Sequence, residues 1–570
     1  MATLRPLRVS LVCSLLAAAA CTPRPAPTAT AADHAHAHGA GAPPAASVAT
    51  WAQGALFLSD LGAHHRAVTT TSKEAQAFFD QGLRLVYGFN HDEATRSFAR
   101  AAELDPSCAA CFWGVALTVG PNYNVPMLPD RAGVAWEALR KAQALEGRVT
   151  PVERALIAAL GKRYQGPDPV PPPAMQPFNE AYAAAMRGVA QQFADDLDVQ
   201  VLFAEAMMDV DPWKLWTLDG KPGPLTGEIV TTLEAVLAKA PQHPGANHYY
   251  IHAIEASKEP GKATPSAERL AALMPAAGHV VHMPAHIFQR VGRYRDAAET
   301  NRRAIIADDK YMKQTTPPGY YSMYLSHNHG FLAYAASMLG RREETLASAR
   351  AAANAIPPAM LDMMPGMDFF ISEHLFAMVR FARWDELLAE PRPLEKYQVM
   401  TALWLHAHGM ALAAKGRLDE ARRDHAELVA LHDKVPADVI AGLDPARDVV
   451  RVAAKILEAR IAQGAGKVDP RCLPLWAEAV ALEDKLAYSE PADWFYPVRH
   501  FEGAALLALG KAKEASAVYE EDLRRNPGNG WALYGLGAAL KAQKKDASRV
   551  LKQFAEAWKM ADVTLTASVL

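Results

Sequence analysis

FFDQGLRLVYGFNHDEATRSFARAAELDP, the stretch from Phe78 to Pro106, decides the fold. Its first half carries a large residue, a small residue and a second large residue with helical spacing. Its second half carries alanine, an aromatic residue and alanine, and then a proline. The residues of this pattern are Phe78, Gly82, Leu85, Ala94, Phe98, Ala101 and Pro106. Small residues let two helices approach closely, and proline ends a helix because it lacks the backbone N–H. The stretch therefore predicts a hairpin of two packed helices.

This pattern is that of the tetratricopeptide (TPR) repeat, and it recurs along the chain. Two further copies lie near the C-terminus, at Gly503, Leu506, Gly510, Ala515, Tyr519 and Pro527, and at Trp531, Gly535, Ala538, Ala547 and Phe554. Degenerate copies are marked by turns at Gly292–Ala297, Gly340–Thr345, Phe381–Glu386 and Gly416–Ala421. We predict an all-α fold, a TPR-type α-solenoid of roughly eight to ten helical hairpins from Lys73 to Leu570.

Three segments interrupt the repeats: Gly120–Pro129, Gly166–Pro177 and Asp211–Pro224. The first is a loop inserted within a hairpin, and the second is too rich in proline for regular helix. We predict that these two inserted loops form walls of a site. The third segment contains Trp213 and Trp216, which either cap a ligand or pack against the solenoid.

The length and charge of the chain bound its class. A chain of 570 residues is too long for one ordinary core and indicates several domains or a repeat array. The formal net charge is −3 and no long basic run occurs, so we predict no nucleic-acid partner. No GxSxG, P-loop or HExxH motif is present, so the reactions of those motifs are not indicated.

The N-terminus, residues 1–21, has the features of an export signal. Arg5 and Arg8 precede the apolar run Val9–Ala20, which is too short to span a bilayer as a mature helix. Small residues lie directly before Cys21, and this junction resembles a bacterial lipoprotein signal. The resemblance implies a lipid on Cys21 that anchors the protein to a membrane. Because threonine rather than aspartate follows, it implies the outer membrane. The alternative is an ordinary secretory signal cut nearby.

Residues 22–50 are rich in proline, alanine and threonine and predict a disordered tether. A lead-in, residues 51–72, connects this tether to the solenoid of residues 73–570. Three histidines alternate with alanine in the tether: His34, His36 and His38. They could bind Cu or Zn weakly, or belong to a plain spacer.

Beyond the signal the cysteines are Cys108, Cys111 and Cys472. Cys108 and Cys111 form a CxxC spacing at a predicted helix start. In an oxidising compartment such a pair is a local disulfide, a redox pair or half of a metal site. No second CxxC occurs, which excludes a four-cysteine zinc site. We favour a disulfide or two free thiols over a redox centre.

Histidines concentrate in residues 247–330, which hold seven of the twenty in the chain. They lie in NHYYIHAIE (Asn247–Glu255), GHVVHMPAHIFQRVGRY (Gly278–Tyr294) and SHNHG (Ser326–Gly330). They are His248, His252, His279, His282, His286, His327 and His329. Spacings of three, four and seven place the first five on helix faces.

The repeat register predicts which of these side chains share a surface. In TPR hairpins the first helix lines the concave face, and positions at steps near multiples of 3.6 residues share one side of it. With Ile251, Ala285 and Ala333 as packing positions, seven residues face one cavity: His248, His252, Glu255, His279, His282, His286 and His327. Two more distant histidines also fall at inward positions: His406 and His500. Three fall at other registers and are predicted to be structural: His329, His374 and His408.

Imidazole and carboxylate groups in this arrangement predict a metal site. A helical HxxxH pair supplies two ligands to one divalent ion, and His248/His252 and His282/His286 both have that spacing. Glu255 adds an oxygen ligand or acts as a catalytic base. A site dominated by histidine favours Cu or Zn, and Fe is also compatible. Carboxylates are sparse near these histidines, so a carboxylate-bridged di-iron site fits poorly.

The alternative is a polar groove without metal that binds an anionic small molecule or a peptide. The histidines would then act as hydrogen-bond donors or as acid and base groups. Three arginines near the same face would assist: Arg290, Arg293 and Arg499.

Together the segments FDQGLRLVYGFNHDEATRSFARAAELDP, HYYIHAIEAS, GHVVHMPAHIFQRVGRY and WFYPVRHFEGAALLALGKAKEA resemble a family of exported bacterial TPR proteins. The resemblance implies the fold and supplies no catalytic residue. We therefore predict a periplasm-facing lipoprotein of the cell envelope with a His-rich site that binds metal and could also be catalytic. The alternative function is a TPR scaffold that binds a peptide or protein partner in its groove.

Overall fold

The computed structural model describes residues 47–315, 321–363 and 365–570. Within these ranges the fold is almost entirely α-helical, which confirms the predicted fold class. The predicted signal, the lipidation site Cys21 and the tether as far as residue 46 lie outside the described residues. Residues 48–50, predicted to end the tether, instead form the first turn of a helix whose N-cap is Ser47. In the described residues no helix is both long enough and apolar enough to cross a membrane.

The described chain divides into two compact units, residues 47–212 and residues 213–570. The division falls inside the predicted interruption Asp211–Pro224, whereas the sequence predicted one solenoid over residues 73–570. The first unit contains the helices α1 (Val48–Ala52), α2 (Lys73–Tyr87), α3 (His91–Leu104), α4 (Ala109–Thr118), α5 (Ala132–Ala144), α6 (Pro151–Leu160), α7 (Gln176–Gln192) and α8 (Leu197–Met208). It also has short 3₁₀ turns at Pro129–Arg131, Glu146–Arg148 and Pro172–Met175.

The second unit carries the longer run of helices. These are α9 (Thr226–Lys239), α10 (Pro244–Ile254), α11 (Thr264–Leu273), α12 (Gly278–His282), α13 (Pro284–Arg290), α14 (Tyr294–Gln314), α15 (Tyr321–Met338), α16 (Arg342–Ala355), α17 (Pro358–Met363), α18 (Glu373–Arg380), α19 (Trp384–Ala389), α20 (Gln398–Ala414), α21 (Leu418–His432), α22 (Ala446–Gln463), α23 (Cys472–Glu483), α24 (Arg499–Ala508), α25 (Ala512–Arg525), α26 (Gly530–Ala542) and α27 (Ser548–Ala557). Its 3₁₀ turns are Pro260–Ala263 and Met367–Ser372. A small antiparallel ribbon pairs β1 (Ile440–Ala441) with β2 (Asp444–Pro445).

Glycine and aromatic residues interlock the hairpins as the repeat pattern predicts. Phe98 of α3 is fully buried between Gly82 of α2 and Gly114 of α4. A Cβ atom on Gly82 would lie 2.7 Å from the Phe98 ring, and one on Gly114 would lie 2.5 Å from it. The same arrangement recurs near the C-terminus at Gly503, Tyr519 and Gly535. Glycine at these positions is therefore required by the close approach of successive helices.

Two smaller predictions concern local structure. Cys108 and Cys111 form a disulfide at the start of α4, which is one of the two favoured alternatives. In the loop before α9, Trp216 donates a hydrogen bond from Nε1 to the backbone oxygen of Ala253 at 2.7 Å. This loop therefore packs on α10, the helix that carries the first two histidines of the candidate site.

Candidate metal centre

Four helices of the second unit bring the predicted histidines together. α10 carries His248 and His252, α12 carries His279 and His282, α13 carries His286, and α15 carries His327. α12 and α13 are separated at Met283 because Pro284 begins a new helix, and α14 packs against both of them and against α15. The first five of these histidines and Glu255 have exposed fractions of at most 7%. They are thus buried side chains rather than residues of an open groove.

One cluster, the first histidine set, consists of His248, His252 and His279. Its ring centroids are 5.0 Å apart for His248 and His252, 5.0 Å for His248 and His279, and 6.1 Å for His252 and His279. One nitrogen from each ring lies within 4.8 Å of the other two. The three side chains that the repeat register placed on one face therefore converge in space.

A second cluster, the second histidine set, consists of His282, His286 and His327. The ring centroid of His282 is 4.8 Å from that of His286 and 4.8 Å from that of His327. The Nε2 atoms of His282 and His286 are 2.9 Å apart. One nitrogen from each ring again lies within 4.8 Å of the others. His327 is partly exposed, so this set lies nearer to solvent on the α15 side.

Two carboxylates adjoin the sets, and one of them was not predicted. Glu255 places Oε1 3.1 Å from Nδ1 of His252 and Oε2 3.0 Å from Nδ1 of His286. Glu490, in the segment between α23 and α24, places Oε2 3.1 Å from the same Nδ1 of His286. That nitrogen lies between the two carboxylates without the alignment of a hydrogen bond to either. Glu255, His286 and Glu490 thus form a third group, the carboxylate set, with ligand atoms within 4.8 Å.

The presence of Glu490 corrects the expectation that carboxylates are sparse near the histidines. Glu490 has no helical register, because it precedes α24 in an irregular segment. It is also far from the histidine segment in the sequence. The only available signal was its position just upstream of WFYPVRHFEG, one of the segments that carried the family resemblance. The spacing of residues along helices therefore cannot predict where Glu490 lies.

Hydrogen bonds fix which nitrogen of His282 is available to a ligand. Its Nδ1 lies 2.7 Å from Oδ1 of Asn301. Asn301 in turn donates from Nδ2 to the backbone oxygen of Ala297 at 2.7 Å, which fixes its amide so that Oδ1 must accept the proton of the histidine. The Nε2 atom of His282 therefore carries a lone pair and faces His286. Partners of this kind behind a ligand are typical of metal-binding histidines.

Burial and neighbouring charges shift the pKa values in the centre in opposite directions. Burial and the neighbouring imidazoles lower the pKa of His279 and His282 well below the ordinary value, and they lower that of His327 to about 3. Burial alone would lower the pKa of His286, but the charges of Glu255 and Glu490 raise it to about 10. His279, His282 and His327 are thus neutral near pH 7, the form that binds metal, whereas His286 is charged and must release a proton to bind one.

The pKa values of the two carboxylates are also shifted in opposite directions. Burial alone would raise the pKa of Glu255, but the charges of His286 and His252 lower it to about 2. Burial raises the pKa of Glu490 to about 7 although His286 opposes this shift. Glu255 is consequently the permanent negative charge of the centre.

Aromatic side chains form the walls of the centre. The Phe331 ring lies 4.7 Å from the rings of His282 and His286 and 5.1 Å from that of His327, between centroids. Trp213 lies 5.7 Å from His252, and Tyr324 lies 4.9 Å from His279. Trp213 thus packs against one of the predicted metal ligands.

Several residues that the register placed on the inward face lie elsewhere. His406 is hydrogen bonded to the backbone oxygen of Ala453 and to Tyr496, and His500 pairs with Asp522 and Arg380. These two histidines do not join the cluster, because their imidazoles are bonded to other partners: Ala453 and Tyr496 for His406, and Asp522 and Arg380 for His500.

The predicted arginines also separate. Arg293 pairs with Glu268 and Asp296, and Arg499 pairs with Asp484. Among the three, Arg290 lies nearest to the centre. It donates to the backbone oxygen of Ser257 at 3.2 Å and lies over the Tyr488 ring at 5.1 Å.

The donor groups fit a divalent transition metal. Zn–N bonds of about 2.0–2.1 Å in tetrahedral geometry place donor atoms on the order of 3.3 Å apart. The donor atoms of each set lie within 4.8 Å of one another, close enough that each set could hold one ion. Imidazole nitrogen suits Zn, Cu and Fe, and neither histidine set contains a thiolate.

Comparisons with known proteins bear on the fold alone. No protein-family profile matches the chain, and no curated protein matches it. It is similar to human IFIT1 in its dimer with m7Gppp-AAAA, at 12% identity and a TM-score of 0.33, covering 87% of this chain and 96% of that one. It is also similar to yeast Tom70, at 12% identity and a TM-score of 0.30, covering 85% of this chain and 99% of that one. A third similar structure is the TPR domain of P58(IPK), at 13% identity and a TM-score of 0.20, covering 84% of this chain and 98% of that one. At these scores the assignment of helical repeats rests on the helices and glycine–aromatic contacts of the chain itself.

Proposed function

We propose that this protein is a lipid-anchored protein of the bacterial cell envelope whose helical repeats hold a divalent transition metal. The observation that carries the proposal is the convergence of six histidines and Glu255 from four helices into one buried cluster. Zn or Cu is the favoured ion, and Fe is also compatible with imidazole ligands.

The spatial arrangement supports metal better than a peptide groove. A bound peptide needs side chains that reach solvent, whereas five of the six histidines are almost fully buried. Three imidazoles leave one position of a tetrahedral ion open, as in sites that bind water or substrate. Glu255 contacts the Nδ1 atoms of His252 and His286, which is the position of a carboxylate that orients ligands.

Metal analysis of the full-length protein, purified without a histidine tag from the detergent-solubilised envelope of a bacterial host, tests the proposal. We expect near-stoichiometric transition metal in the wild type and its loss in the double variant His252→Ala, His282→Ala. The matched control is His408→Ala, because His408 pairs with Asp424 and stacks on Trp404 away from the centre. A folded wild type that contains no metal and takes up none from added Zn²⁺, Cu²⁺ or Fe²⁺ would refute it.

The envelope location is a separate part of the proposal and rests on the sequence before residue 22. Cleavage before Cys21 and acylation predict that radioactive palmitate labels the protein in a bacterial host and that Cys21→Ser abolishes the label. Cys13→Ser is the matched control, since it leaves the junction intact. A wild type that is exported without label would support the ordinary secretory signal instead.

A second candidate function is a scaffold that binds a protein or peptide, and the helical-repeat fold favours it. Capture of partners by the immobilised protein with and without a chelator separates the two. Partner capture that is unchanged by the chelator, and by the double histidine variant, would favour the scaffold.

A further inference from the structure

We infer that the centre holds two metal ions, one in each histidine set, and that Glu255 connects them as a shared positioning residue. The inference rests on the metal-binding function proposed above and specifies it. The sequence assigned all the ligands to one site and gave Glu255 the role of ligand or base. The spatial arrangement divides them differently.

Six imidazoles exceed what one ion accepts. Transition metals at such sites take four or five ligands, and catalytic zinc sites use three protein ligands and one open position. The donor atoms of His248, His252 and His279 lie within 4.8 Å of one another, and so do those of His282, His286 and His327. Each set therefore supplies the three ligands of one such ion.

The two sets are neighbours rather than distant sites. Between the sets, the rings of His252 and His286 are 5.9 Å apart and those of His279 and His282 are 6.0 Å apart, between centroids. The members of each pair belong to different sets, so the sets adjoin along one side. Two ions held here would therefore lie side by side within one group of histidines.

Glu255 touches one ligand of each set through a different oxygen. Its Oε1 accepts from Nδ1 of His252, and its Oε2 contacts Nδ1 of His286. A proton on each Nδ1 leaves the Nε2 atoms as metal ligands, and the Nε2 atom of His286 already faces that of His282 at 2.9 Å. A carboxylate behind a histidine orients the ring and raises its basicity as a ligand. Glu255 does this for both sets at once.

The carboxylate set offers a competing arrangement. In it, one ion lies between Glu255, Glu490 and the Nδ1 atom of His286. This arrangement uses the other nitrogen of His286 and withdraws that residue from the second histidine set. The two arrangements predict different ligands, so substitutions distinguish them.

The experiment counts bound metal in the full-length protein. Chelator-treated protein is titrated with Zn²⁺ in a calorimeter, and bound zinc per chain is measured by mass spectrometry after gel filtration. We expect two ions per wild-type chain, one in His248→Ala, one in His327→Ala and none in the combined variant. His408→Ala is the matched control and should keep two.

The role of Glu255 has its own readout. Glu255→Gln keeps the side-chain shape but accepts at only one end, so both ions should still bind, with affinities about 10–100-fold lower. With Co²⁺ as the probe, the visible absorption spectrum of both sites should change in this variant. Cu²⁺ in both sets should show dipolar broadening of the electron paramagnetic resonance signal, which the single-set variants should lack.

Three outcomes would overturn the inference. One ion per wild-type chain that either His248→Ala or His327→Ala removes would mean a single shared site, and the proposed metal-binding function would still stand. Loss of a whole equivalent in Glu255→Gln and Glu490→Gln, but not in His248→Ala, would place an ion in the carboxylate set. No binding of any ion would refute the proposed function as well. Circular dichroism checks the fold of each variant, and His→Gln replaces any His→Ala variant that does not fold.

Discussion

Replacing Gly114 by alanine tests the contact that defines the repeats. The added Cβ atom would lie 2.5 Å from the ring of Phe98, closer than carbon atoms approach in proteins. The ring cannot retreat freely, because it is fully buried and Gly82 touches its other side. Overpacking of a core costs about 1–3 kcal/mol, and these constraints favour the upper half of that range. Alanine regains about 0.5–1 kcal/mol of helix stability, so the net loss is expected to be about 1–2.5 kcal/mol.

Gly188 is the matched control for this substitution. It also lies within a helix of the first unit, α7, but no atom lies within 4 Å of a Cβ placed there. Gly188→Ala should therefore stabilise by about 0.5–1 kcal/mol. Helix propensity contributes equally to both variants, so the difference between them isolates a steric cost of about 2–3 kcal/mol.

Urea unfolding of the full-length protein followed by a pulse of protease measures this difference. Mass spectrometry of the fragments assigns cleavage to residues 47–212. We expect a lower midpoint for Gly114→Ala and a slightly higher one for Gly188→Ala. Adding Phe98→Leu to the Gly114→Ala variant should cost less than Phe98→Leu alone, because the smaller side chain relieves the clash. Equal midpoints for the two alanine variants would refute the reasoning.

Three further predictions concern the second unit. Burial raises the pKa of Asp308 from 3.8 to about 7, so the associated stability is fully present below about pH 4 and is lost as the pH rises to about 7. Asp308→Asn should therefore flatten the pH profile of urea midpoints between about pH 4 and 7. Phe331→Ala removes the wall shared by the second histidine set, which should cost about 3–5 kcal/mol and weaken only the zinc equivalent that His327→Ala removes. Free Zn²⁺ should stabilise the wild type in thermal unfolding by about 2.7 kcal/mol for each site whose dissociation constant it exceeds 100-fold, and a chelator should reverse this. It should not stabilise the variant His252→Ala, His282→Ala.

Much of the architecture is predictable because its causes are local in the sequence. Gly82 and Phe98 are 16 positions apart, and their contact follows from one helix, one turn and a second helix. The same local register carried His248, His252, His279, His282 and His286 to one place, since equivalent positions on successive hairpins become neighbours. The membership of this histidine cluster could therefore be predicted from spacing alone.

The limits of that register are equally physical. His406 and His500 satisfy it as well as His282 does, yet their imidazoles bond within their own surroundings, to Tyr496 and to Asp522. Register defines a direction on a helix, whereas a cluster also requires that neighbouring helices present compatible partners. The repeat register also failed to predict that the clustered histidines are buried, for the same reason. Whether an inward face stays open depends on segments such as the Trp213 loop, which no repeat pattern describes.

Glu490 gives the two histidine sets unequal surroundings, and this inequality predicts the order in which they fill. Nδ1 of His286 is flanked by both Glu255 and Glu490, whereas Nδ1 of His252 contacts Glu255. Because carboxylates behind a histidine strengthen it as a ligand, the second histidine set should bind zinc more tightly than the first at a pH high enough for His286, whose pKa is raised to about 10, to release its second proton. In a titration, His327→Ala should remove the tighter equivalent and His248→Ala the weaker one.

Glu490→Gln should then bring the two affinities closer together without changing the count, since the amide removes negative charge but keeps the volume of the side chain. Asp493→Asn, a change in the same irregular segment at a residue that accepts from the backbone of Leu443, is the matched control and should leave both affinities unchanged. If His248→Ala instead removed the tighter equivalent, the flanking carboxylates would not control affinity. The geometry of the first histidine set would then be the better fitted to the ion.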